Sequence, residues 1–163
     1  MAKPPNTRTA DRPVKISEAA HRNHEELFPN HQSILKGTDP ELIEIFDNFA
    51  FDEVLAPSKF DTKTRTMMIL ASLIASQAVS EYKIMVGAAL NVGVTPVEIK
   101  EILYQSVPYV GMAKAFDFLQ ATNEVLTTRG ISLPLEGQSM SRGEQSRTDS
   151  VVSKAGHFCV TRC

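Results

Sequence analysis

From Asp61 to Arg129 the apolar residues recur every three or four positions and are punctuated by glycine and proline, a pattern that packed short helices bury. Asp61 is placed as the N-cap of a helix carrying Met67, Met68, Leu70, Ala71, Ile74 and Ala75, because its carboxylate can accept from the free amides of the first turn. A break between Ser76 and Ser80 leads to a helix from Glu81 to Val92, where Gly87, Ala88 and Ala89 allow close approach and Gly93 takes the left-handed cap. Thr95, Pro96 and Glu98 spell a capping box with proline at N1, and the helix it opens runs through Ile99, Ile102 and Leu103 until Pro108 and Gly111 interrupt it. A last helix from about Met112 to Arg129 aligns Ala115, Phe116, Phe118, Leu119 and Val125 before Gly130 ends it.

Upstream, Ser17 to Phe28 is helical in pattern and stops at Pro29. A second helix takes Asp39 as N-cap and Pro40 at N1, with Leu42, Ile43, Ile45, Phe46 and Phe49 as its apolar face. No run alternates as a strand does. The expectation is therefore an all-α bundle of about six helices, one domain over residues 14–135, between a proline-rich arm at 1–13 and a polar tail at 136–163. The arm is expected to be disordered or to wrap a neighbouring subunit, and the tail to be mobile.

A formal net charge of -2 gives no basic excess for nucleic acid. The longest largely apolar run, Met67 to Ala75, is far short of the roughly 20 residues of a membrane span, and the first residues carry no signal-like apolar core. Both cysteines, Cys159 and Cys163, fall in the polar tail, so no disulfide framework is expected and the setting reads as cytoplasmic. His21 and His24 stand at i, i+3 with His31 nearby, formally a metal-ligand spacing. Arg22, Glu25 and Glu26 between them read instead as a solvated face, and neither a metal nor a cofactor is expected.

Three segments, FDTKTRTMMILASL, EYKIMVGAALNVGVTPVEIKEIL and YQSVPYVGMAKAF, together resemble the carboxymuconolactone decarboxylase family, which includes the alkyl hydroperoxidase D proteins. The resemblance covers roughly Phe51 to Leu135, and EVLTTRGISLPLEGQ is similar to members that carry two such domains in tandem. It implies a helical bundle that assembles as homotrimers or homohexamers, with a pocket near a subunit boundary. The tail after Gln138 resembles the start of a linker to a second domain.

Glu81 matches the family's acidic residue, but Met85 stands where a histidine is expected one turn later. A thioether does not titrate, so the usual proton donor and acceptor is missing. The CxxC pair of the hydroperoxidase branch is also missing, since no cysteine precedes Cys159, and Ser106 replaces a cysteine present in some tandem members. On this resemblance the candidate catalytic residues are Glu81, Ser106 and Tyr109, with Glu81 in proton transfer and the others positioning a substrate carbonyl. Arg65, Tyr82, Met85 and Tyr104 are candidates for substrate binding, Arg65 because a guanidinium grips a carboxylate bidentately.

Each candidate also has a structural reading. Glu81 in a first turn favours the helix dipole and can pair with Arg65 or Lys83, and the tyrosines and methionines can be core. Three functions stay open: a small anionic or lactone ligand, decarboxylated if Glu81 acts alone; a non-catalytic homo-oligomeric binding or scaffold protein; and a hydroperoxidase D-like peroxidase, which would need Cys159 or Cys163 to fold back. 

Overall fold

The computed structural model describes residues 15–136, and the chain divides after Arg65 into two compact units. The arm at 1–13, the tail beyond Glu136 and both cysteines lie outside the described residues. Six α-helices follow in order: α1 Glu18–Leu27, α2 Pro40–Asn48, α3 Thr62–Ala75, α4 Val79–Asn91, α5 Pro96–Val110 and α6 Met112–Thr128. Among the described residues there is no strand, and the fold is all-α.

In the N-terminal unit Ser17 caps α1 by accepting the Ala20 N–H at 3.0 Å, and its own hydroxyl donates to Asp52 at 2.6 Å. Asn48 accepts the Ser17 N–H at 2.8 Å and donates to the Lys15 carbonyl at 2.9 Å, while Asn23 donates to the Phe51 carbonyl at 2.6 Å. These bonds fasten α1 to the end of α2, which widens into a π-helical turn over Phe49–Glu53, closed by the Val54 N–H on the Phe49 carbonyl at 3.0 Å. The sequence pattern gave no sign of this turn, whose extra residue per ring turns Phe51 inward while Phe49 stays exposed. Of the expected apolar face of α2 only Ile43 is buried; Leu42, Ile45, Phe46 and Phe49 are exposed.

From α3 onward the helices are set by their ends. Asp61 caps α3 as expected, accepting the Thr64 N–H at 2.8 Å and its hydroxyl at 2.9 Å. The helix closes with Gln77 at φ 60° and the Ala78 N–H returning to the Leu73 carbonyl at 3.0 Å, so the chain turns at once into α4, which starts at Val79 and not at Glu81. Gly93, at φ 83°, ends α4 in the same motif, with the Val94 N–H on the Ala89 carbonyl at 2.9 Å. The capping box at Thr95 and Glu98 is complete.

Pro108 does not interrupt α5. It lies in the last turns, on the exposed side, and the helix runs on to Val110. The break falls at Gly111, whose φ of 89° ends α5 and opens α6. The core joins Leu70 and Ile74 of α3, Tyr82 and Val86 of α4, Ile99 and Leu103 of α5 and Phe118 of α6, all essentially out of reach of water. Each such side chain contributes roughly 1.5–3 kcal/mol through burial.

Candidate functional site

A cleft of about 570 Å³ runs between α3 and α5, a volume suited to a small organic molecule. Met67, Ala71 and Ala75, one turn apart on α3, form an apolar wall; the small alanines leave the space open. Ile102 and Val110 of α5 extend that wall, and Glu98, Glu101, Gln105, Ser106 and Tyr109 supply the polar groups.

Ser106 and Tyr109, one turn apart, both line this cleft. The Ser106 hydroxyl donates to the Ile102 carbonyl of its own helix at 2.8 Å. A carbonyl does not take up a proton, so this bond does not activate the serine as a nucleophile. Tyr109 is 89% exposed, leaving its phenol on the rim free of the core. Glu98 is held by its cap, accepting the Thr95 N–H at 2.7 Å and hydroxyl at 2.9 Å.

The other candidates are placed elsewhere. Glu81 lies exposed on the first turn of α4, and the Ser80 hydroxyl, donating at 2.8 Å, holds its carboxyl below the usual range. A side chain so placed is an ionised carboxylate, the opposite of the raised carboxyl that a general acid needs. Lys83 pairs with Glu124 at 2.5 Å and not with Glu81. Met85 is half-buried against the core.

Tyr82 is wholly buried. Its hydroxyl meets Thr122 at 2.8 Å, and burial pushes the phenol up to about 12, so it is placed as a core residue. The Arg65 guanidinium reaches the Thr62 hydroxyl of its own turn at 3.5 Å. Tyr104 lies on a second groove of about 290 Å³, with Leu103, Val107, Met112, Ala115, Phe116 and Leu119.

Glu98, Glu101 and Gln105 were not foreseen as site residues. Their signal was present in the i, i+3 and i+4 spacing that places them on the Ser106 and Tyr109 side of α5, but Glu98 read only as a capping residue. No thiol occurs among the described residues, and no helix among them is long and apolar enough to cross a membrane.

No curated protein sequence matches the chain. The carboxymuconolactone decarboxylase family matches residues 40–124, just over half of the length and all of the segment that builds the cleft. The protein belongs to the carboxymuconolactone decarboxylase family.

Proposed function

We propose that the chain is a homo-oligomeric binding subunit of this family, holding a small neutral lactone or related carbonyl compound in the α3–α5 cleft without decarboxylating it. The observation that carries this reading is the composition of the cleft: an apolar wall faced by Glu98, Glu101, Gln105, Ser106 and Tyr109, with no cationic side chain in its lining among the described residues. The Tyr109 phenol and the Gln105 amide can donate to a carbonyl oxygen, whereas two carboxylates disfavour an anion. Decarboxylation also needs a proton delivered to carbon, and Met85 supplies none.

Assembly is part of the reading. Leu42, Ile45, Phe46 and Phe49 recur at i, i+3, i+4 and i+7 and are all exposed, as are Ile84, Met112 and Phe116. Apolar stripes of this size suit subunit contacts. Light scattering on the purified chain tests the assembly, a monomer being the contrary result. Two-dimensional NMR titration with a neutral γ-lactone and its carboxylated analogue tests the ligand. The reading expects the neutral compound to shift Gln105, Ser106 and Tyr109 and to bind more weakly to Tyr109→Phe; tighter binding of the carboxylate contradicts it.

A second reading, a decarboxylase relying on Glu81, is favoured by one observation. Glu81 and Ile84 both lie uncovered on α4, and a neighbouring copy seated there would desolvate the carboxyl and raise it toward the range of a proton donor. Turnover that is lost in Glu81→Gln is its signature.

A further inference from the structure

Within the N-terminal unit the His24 ring is the centre of an otherwise aromatic cluster. Its centroid lies 5.2 Å from Phe28, 5.5 Å from His31 and 5.1 Å from Phe51, the last edge-on at 85°. Phe28 stands 5.9 Å from His31 and 6.4 Å from Phe51, and Phe46 adds a further edge contact to Phe51 at 5.9 Å. The rings come from α1, the loop after it, α2 and the π-helical turn; the contacts of one imidazole join the first two to the turn, and Phe51 carries them on to Phe46 of α2.

We propose that this cluster is a proton-operated latch: with His24 neutral α1 is closed against the π-helical turn, and protonation of its imidazole loosens that contact and exposes Phe28 and Phe51. A neutral imidazole packs among phenyl rings as another flat, mostly apolar group. An imidazolium there needs hydration that the rings displace.

The charges around His24 are mixed. Asp47 of α2 and Glu25 of α1 favour its protonation, while His31 in the loop and Lys36 beyond it oppose it. Of the acids on the π-helical turn, Asp52 accepts from Ser17 and Glu53 is exposed. Burial outweighs the attraction of the acids and holds the imidazole below its ordinary value. Protons have a route, because His24 also lines a polar cleft of about 620 Å³ with His21, His31, Lys36 and Asp47.

The sign of the effect follows from that lowered value. Opening takes up a proton, so the contribution of His24 is fully present above its unfolded value of about 6.5 and is lost as pH falls through the folded value.

The test is NMR on the full chain, following the imidazole Cε1–H signals and the amide protection factors, corrected for intrinsic exchange, at about pH 7.5 and about pH 5. The expected result is a His24 midpoint below about 6.5. Protection over residues 18–28 and 49–53 should fall at the lower pH, with little change over 79–128. His24→Phe should remove that fall. Should this variant not fold, His24→Gln should show lowered protection at both pH values with no further loss on acidification. A midpoint at or above the ordinary histidine value, or the same fall in either variant, overturns the proposal.

Discussion

Tyr82 and Thr122, 40 residues apart in sequence, meet through a 2.8 Å hydrogen bond between two side chains that water does not reach. Thr122 spends its own proton on the Phe118 carbonyl at 2.8 Å, so the bond is directed from the Tyr82 phenol to the Thr122 oxygen. Tyr82 also packs edge-on against Phe118 at 5.1 Å, which makes this chain of groups the joint between α4 and α6.

That direction makes the two ends unequal. Tyr82→Phe removes a donor and leaves Thr122 still bonded to Phe118, at a cost of about 1 kcal/mol. Thr122→Val strands a buried phenolic proton and should cost about 2–3 kcal/mol. Urea unfolding of both variants measures the order; equal losses would argue against the assigned direction.

Because burial raises the Tyr82 phenol to about 12, the folded chain holds this proton more tightly than the unfolded chain does. Its contribution is complete below about pH 10 and is lost as pH rises toward the folded value. Stability measured across that alkaline window should fall for the native chain and fall less steeply for Tyr82→Phe.

Gln77 adopts φ 60° at the end of α3, a position that glycine takes at the ends of α4 and α6. Its side chain recovers part of the cost by donating to the Ile74 carbonyl at 2.7 Å. Gln77→Gly should raise stability by about 0.5–1 kcal/mol, the relief of a left-handed non-glycine residue less one partly exposed hydrogen bond. A rise in Tm is the readout, and a fall would mean that the amide matters more than the backbone.

Lys100 is 4% exposed on α5, and its ammonium donates to the neutral amide of Asn123. Desolvation lowers its value below that of a free lysine, so its penalty eases as pH rises toward 10.5, opposite in sign to the effect of Tyr82. Lys100→Met should stabilise the chain by about 1 kcal/mol at neutral pH, read by denaturant midpoint.

The parts of the fold legible in the sequence were those written as local chemistry. Asp61, the Thr95 to Glu98 box, Gly93 and Gly130 each announce a helix end through a side chain or a backbone freedom that one residue type supplies. Elements set by tertiary packing were not legible. The start of α4 at Val79 has no capping side chain, Pro108 is carried inside α5 because its ring faces outward, and the π-helical turn is fixed by bonds from Asn23 and Ser17 more than 25 residues away.

The site divides the same way. Ser106 and Tyr109 share a helix, so their common cleft followed from spacing. Glu81 and Tyr82 are neighbours in sequence with opposite fates, one exposed and one wholly buried, because a single step along a helix turns a side chain by about 100°.

The most direct test of binding without decarboxylation is to incubate the purified oligomer or monomer with a carboxylated muconolactone labelled with ¹³C at the carboxyl group and follow labelled carbon dioxide and bicarbonate by NMR. The account predicts release no faster than in buffer alone. Release by the native chain that disappears in Glu81→Gln would contradict it and establish Glu81 as the proton-transfer residue despite Met85.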